Sequence, residues 1–223
     1  MPEFMKKLRA LLAVAPESFL VTERTRRRVE SLIGAAGARA IILNVGAGYT
    51  RLAPHVLNVE IFDSGETDVM ASALELPFES SIADLIILQG VLEHVENARG
   101  TIEECYRVLK PGGIFYTEMP FLQPYHECPI DVARSTRPGL ARLCLPMQEI
   151  DSGIHIGPAS TLTWMLREFL AALISRGRQP LYRRSFTIAG WLVFPIKYAD
   201  YFLERFPALH TVASSCYYIG RKH

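Results

Sequence analysis

Three groups of residues in this 223-residue chain have the types and spacing to do chemistry. The first is Gly46-Ala47-Gly48, which ends the apolar run Ala40-Ile41-Ile42-Leu43-Asn44-Val45; a second short run, Val56-Leu57-Asn58-Val59, closes on Glu60. Glycines at a strand end let the backbone come close to a ligand, and an acid ending the next strand can take ribose hydroxyls. The pattern reads as a site for an adenosine-bearing cofactor. The second group is Tyr125-His126-Glu127-Cys128-Pro129-Ile130-Asp131-Val132-Ala133-Arg134. Histidine suits proton transfer near neutral pH, so His126 could take a proton from a hydroxyl. Asp131 could orient that imidazole, Arg134 could hold an anionic group, and Tyr125 could touch the substrate. The plain alternative is a polar network that pins an irregular loop to itself. The third group is Glu93-His94, with His94 a second candidate base and a helix start without chemistry its alternative. No metal is expected, because adjacent His126, Glu127 and Cys128, with Asp131, cannot all point at one ion.

These residues need a scaffold, and the hydrophobic pattern supplies one. Strands are expected over 41–45, 56–61, 68–71, 82–88, 114–119, 148–156 and 210–220. Helices are expected over 17–36, 101–109 and 137–144, with Lys110-Pro111-Gly112-Gly113 stopping the second. Alternating strands and helices at this pitch make a parallel, doubly wound sheet. The run 41–45 is apolar but for Asn44, as a strand buried on both faces would be. Two further helices, 160–173 and 191–206, are more apolar than an ordinary surface helix and are interleaved with Arg176, Arg178, Arg183, Arg184 and Lys197.

Composition narrows the classes. Hydrophobic residues make up 49% and charged residues 21%, which fits a globular chain rather than a disordered one. The net charge of +1 gives no global attraction to nucleic acid. The four cysteines, Cys105, Cys128, Cys144 and Cys216, are not spaced as metal or redox pairs, which suits reduced thiols in a cytoplasmic protein. No apolar run reaches the roughly 18 residues of a membrane span.

A dinucleotide turn would place a third glycine where this chain has Arg51, and its acid lies about 20 residues on, against the fourteen between Gly46 and Glu60. The order of motifs resembles another family, the class I S-adenosylmethionine-dependent methyltransferases of the type 11-like kind. Leu43-Asn44-Val45-Gly46-Ala47-Gly48 is similar to that family's first motif, and Asn58-Val59-Glu60-Ile61 to its second strand. The stretch 71–78 resembles its adenine loop, 83–95 its fourth strand and the helix after it, and 107–113 the turn before its fifth strand.

The resemblance implies S-adenosyl-L-methionine as cofactor, held by Asn44, Gly46, Ala47, Gly48, Glu60, Ser72, Ala73 and Gln89. Ser72 stands where the family often has an aspartate that receives the adenine amino group. Residues 121–136 are similar to a segment of a branch associated with glycan building. The expected activity is methyl transfer to a small-molecule or glycan or lipid-linked sugar acceptor, with His126, Asp131 and His94 in the chemistry and Tyr125 and Arg134 at the substrate. The alternatives are a methyltransferase-fold binding protein without catalysis and a dinucleotide-dependent oxidoreductase.

The expected architecture is α/β: a Rossmann-like doubly wound sheet of about seven strands, the last antiparallel, with a helical insertion between the sixth and seventh. It divides into an N-terminal helical segment 1–39, a cofactor-binding core 40–157, the insertion 158–209 and the last strand 210–223. The insertion leaves open a membrane-surface contact, at the inner face, or a homodimer.

Overall fold

The computed structural model describes residues 14–126 and 129–223. Residues 1–13, with the start of the expected N-terminal segment, and Glu127 and Cys128 lie outside the described residues. In chain order the elements are α1 (Glu23–Ala36), β1 (Ile42–Val45), β2 (Leu57–Glu60), β3 (Val69–Met70), β4 (Ala83–Leu88), α2 (Ala98–Val108), β5 (Leu109–Pro120), α3 (Arg137–Leu143), β6 (Gln148–Ile156), α4 (Pro158–Ser175), α5 (Gln179–Val193), a 3-10 turn (Phe194–Ala199), α6 (Asp200–Leu203), a second 3-10 turn (Pro207–Val212) and β7 (Ser215–Arg221).

The seven strands form one sheet in the order β3-β2-β1-β4-β5-β7-β6. β1 is parallel to β2 and to β4, and β4 to β5, whereas β7 runs antiparallel to β5. This is the expected doubly wound, Rossmann-like sheet. β1 and almost all of β4 are buried on both faces, which explains why their sequences are apolar but for Asn44 and Asp84. α1 places Thr25, Val29 and Ile33 on one stripe, and Val29 and Ile33 pack on Ile42, Leu85, Ile87, Tyr116, Tyr217 and Ile219 from the sheet.

The chain divides into two compact units. The sheet unit comprises Glu23–Phe121, Tyr125–His155 and Ser215–His223. The other takes in Leu122–Pro124, Ile156–Ser214 and the described residues as far as Thr22.

Several boundaries differ from expectation, each for a visible reason. α1 starts at Glu23 rather than residue 17, because the residues before it are drawn out along the helical unit. There Leu20 N–H donates to Ser160 Oγ at 3.0 Å, Lys197 Nζ to the Glu17 carbonyl at 2.7 Å and Arg167 Nη1 to the Pro16 carbonyl at 3.1 Å. The helix expected over 191–206 is broken: its first residues end α5, which the sequence did not show, and the rest runs through a 3-10 turn and α6. Pro180 starts α5, and Pro195, which lacks an N–H, stops it and turns the chain into 3-10 geometry. No helix follows β4 directly: residues 91–97 form turns, and α2 begins after Asn97, whose Oδ1 accepts Gly100 N–H at 2.9 Å. The glycine pair 112–113 belongs to β5 itself, and 207–212 is 3-10 turn, so β7 starts at Ser215.

In the helical unit, α4 opens on Gly157 with no side-chain cap of its own. The buried carboxylate of Asp200 takes that place, accepting Ala159 N–H and Ser160 N–H at 2.8 Å each and Ser160 Oγ–H at 2.6 Å.

Candidate active site

The chain turns directly after β1, with Gly46 at φ +71° and Gly48 at φ +55°. A side chain at such φ costs roughly 1–2 kcal/mol, so glycine fits both positions. Their surroundings differ. A Cβ on Gly46 would lie 2.3 Å from Val91 Cγ2, so the space at Gly46 is taken by the turn that follows β4. A Cβ on Gly48 would meet nothing within 4 Å, so Gly48 faces open room.

Glu60, at the end of β2 and 8% exposed, looks into the same turn. Its Oε2 accepts Gly48 N–H and its Oε1 accepts Ile61 N–H, both at 2.7 Å. Each carboxylate oxygen keeps one acceptor site, which suits the two vicinal hydroxyls of a ribose. Ala47 N–H bonds the Val59 carbonyl at 3.3 Å. Asn44 supports the turn from below: buried, it donates to Asn58 Oδ1 at 3.1 Å and to the Thr50 carbonyl at 3.4 Å. Arg51, at the position of the missing third glycine, donates to Glu66 at 2.7 Å and to Asp68 at 3.0 Å, closing the connection between β2 and β3. The loop carrying Ser72 and Ala73 is set beside Glu60 by Ala71 N–H on the Glu60 carbonyl at 2.9 Å. Ser72 Oγ accepts Leu74 N–H at 3.2 Å, leaving it one further acceptor site.

Gln89, just past β4, is oriented by a buried network that the sequence reading missed. Its Nε2 donates to Glu118 Oε1 at 2.9 Å, and Tyr116 Oη donates to the same oxygen at 2.5 Å. Glu118 Oε2 lies 2.9 Å from His155 Nε2. Burial alone would push the Glu118 carboxyl up, but His155, Tyr116 and Gln89 together hold it below the ordinary carboxylate range. An ionised carboxylate only accepts, so it takes the amide nitrogen of Gln89 and turns that side chain's oxygen the other way. The available signal was Glu118 itself, the one acid in β5.

The turn after β4 and the segment after β5 are stitched together. Val132 N–H donates to the Glu93 carbonyl at 2.9 Å, and His94 Nδ1 lies 2.5 Å from the Ile130 carbonyl. A carbonyl only accepts, so Nδ1 carries a proton; in the neutral ring Nε2 then holds the lone pair, 3.8 Å from Glu93 Oε1. The rings of His94 and His126 meet edge to face at 5.4 Å between centroids. His126 has a different environment from the one expected. Its Nδ1 is 3.3 Å from Arg134 Nη2, which only donates, so here Nδ1 is the acceptor and Nε2 carries the proton.

Asp131 reaches His126 through the backbone, accepting His126 N–H at 2.7 Å, while its carboxylate stands 3.7 Å from the imidazole Nδ1. Both Asp131 oxygens are taken by Arg134 as a bidentate pair. That guanidinium holds the Asp131 carboxyl down at about 2. In this structure Asp131 therefore positions Arg134 rather than orienting the imidazole. Tyr125 is 68% exposed.

Glu93 is buried, and its Oε2 has no hydrogen-bond partner among the described residues. Burial pushes its carboxyl above the ordinary range. Glu93, His94 and His126 bring one ligand-type atom each within 4.8 Å of one another. The guanidinium on His126 and the proton assigned to its Nε2 favour a hydrogen-bonded cluster over a shared ion.

Comparison with known proteins bears on the same stretch. Residues 43–117 match the family model described as a methyltransferase domain. A Mycolicibacterium smegmatis protein named "Probable S-adenosylmethionine-dependent methyltransferase" is 30% identical over 73 residues, covering 28% of this chain and 28% of that protein. The tRNA (carboxymethyluridine(34)-5-O)-methyltransferase of Arabidopsis thaliana is 32% identical over 130 residues, covering 50% of this chain and 32% of that protein. The match thus spans no more than about a third of the length of these relatives. A proposed sarcosine dimethylglycine methyltransferase from Galdieria sulphuraria shares the fold, with a TM-score of 0.59 at 18% identity over 92% of each chain. The stretch from β1 through its glycine turn into β5 thus matches a methyltransferase domain, set in a Rossmann-like sheet.

Proposed function

We propose that the chain transfers a methyl group from S-adenosyl-L-methionine to a hydroxyl of a small-molecule or glycan-like acceptor, with His94 as the proton acceptor. The cofactor supplies a methyl group activated on a sulfonium. Glu60 takes the ribose hydroxyls, Gly48 leaves room for the backbone to meet the ligand, and Ser72 and Ala73 border the adenine. The outward oxygen of Gln89 takes the cofactor's ammonium, because Glu118 already holds the amide nitrogen.

The observation that carries the reading is the proton assignment of His94. Nδ1 is committed to Ile130, so the basic Nε2 is left at the carboxyl end of β4, where ligands of open α/β sheets bind. A hydroxyl must lose its proton as the methyl group arrives, and an imidazole lone pair is suited to take it. His126, protonated on Nε2, serves as a donor beside it, and Arg134 keeps that arrangement in place.

Methyl-labelled cofactor offered with a panel of sugars and lipid-linked sugars tests the reading. Label is expected on an acceptor oxygen, read by mass spectrometry; label on nitrogen, or no transfer despite cofactor binding, overturns it. Calorimetry tests the cofactor site separately. Glu60→Ala is expected to weaken binding of S-adenosylmethionine by about 1.5–3 kcal/mol, the range for hydrogen bonds to a charged group. Unchanged binding would move the ribose elsewhere.

A further inference from the structure

The helical unit presents a cationic, apolar tip at the turn between α4 and α5. The two helices are antiparallel: Tyr182 Oη donates to Glu168, and the Arg167 guanidinium lies over the Phe186 ring at 4.0 Å. α4 ends on Arg176 in the left-handed region at φ 49°, Gly177 follows at φ +78°, and α5 begins after Arg178. Around this turn Leu173 is 61% exposed, Ile174 52% and Leu181 41%. Arg176, Arg178, Arg183 and Arg184 are exposed beside them. From residue 169 to 199 the chain has four arginines and Lys197 and no acidic residue. The acid just before that stretch, Glu168, is tied to Tyr182 and lies 3.9 Å from Arg167.

We infer that this tip docks on the surface of an anionic lipid bilayer. Leu173, Ile174 and Leu181 enter the boundary between headgroups and acyl chains, and the four arginines meet lipid phosphates. The charge pattern favours this occupant over a second copy of the chain, because a two-fold contact at the tip would set the same arginines against one another. No described helix is long and apolar enough to cross a membrane, so the contact is with the surface alone.

Cosedimentation of the full chain with vesicles tests this without any methyl acceptor, so its failure leaves the proposed transfer reaction standing. The chain is expected to sediment with vesicles of equal parts phosphatidylglycerol and phosphatidylcholine, to be released by salt, and to stay in solution with phosphatidylcholine alone. Arg183→Glu with Arg184→Glu is expected to lower partitioning by about 25-fold or more, at about fivefold for each arginine lost. Leu173→Ser with Ile174→Ser is expected to lower it by at least about tenfold. Circular dichroism verifies that both variants fold. Absent or equal sedimentation with the two vesicle types overturns the inference, as do folded variants that bind unchanged. A dimer in light scattering that the same substitutions dissociate also overturns it, assigning the tip to a second copy.

Discussion

His94→Gln is expected to lower the methyl-transfer rate by about 10²–10⁴, the usual worth of a positioned general base, with cofactor binding kept. Glutamine can still bond the Ile130 carbonyl but has no basic nitrogen, so the variant separates the shape of the turn from its chemistry. The effect should fall on kcat rather than on the dissociation constant for the cofactor, measured by calorimetry. His126→Gln is the internal control. If His126 acts as a donor beside the base, its loss costs about tenfold. If His126→Gln costs the larger factor and His94→Gln is silent, the two roles are reversed. Asp131→Asn removes one half of the bidentate pair that sets Arg134 against His126, so its effect on rate should follow that of His126.

Glu118→Leu is expected to destabilise the protein by about 3–5 kcal/mol, because it leaves His155 buried without its charged partner. Urea unfolding followed by circular dichroism measures this. The double variant Glu118→Leu, His155→Leu should recover most of the loss, since removing both members of a buried pair is often close to neutral. Both variants also free Gln89 to turn, so each should weaken cofactor binding even where stability is recovered. The pH dependence has a definite sign. The folded state holds Glu118 below the ordinary carboxylate range, so its contribution is present above the unfolded pKa and is lost as pH falls through the folded one. Acid unfolding of the wild type should therefore be steeper than that of the double variant. Equal acid profiles would show that the pair contributes nothing.

Local sequence determined a good deal of this protein. The run of β1, apolar but for Asn44, marked a central strand, because it leaves no polar face for water. The glycines after β1 and the acid closing β2 marked the end of the sheet where we place the cofactor, because turn geometry and a carboxylate at a strand end are both local properties. The strand alternation and α4, the first long apolar helix after β6, were legible for the same reason. Helix limits set by distant partners were not: α1 begins at Glu23 because residues 16, 17 and 20 bond to the helical unit, and no local signal marks those bonds. Pro195 was a local signal, and the apolar pattern around it masked the break.

The proton assignments lay furthest from the sequence. Spacing made His126, Asp131 and Arg134 look like a base with its orienter. In three dimensions Arg134 stands between the other two, and a group that only donates decides which imidazole nitrogen keeps its proton. The Glu118–His155 pair joins residues 37 positions apart on strands separated by β7, so only the strand order brings them together. Residue type and local periodicity specify elements and strand ends. Which side chain donates to which is settled by packing across the sheet.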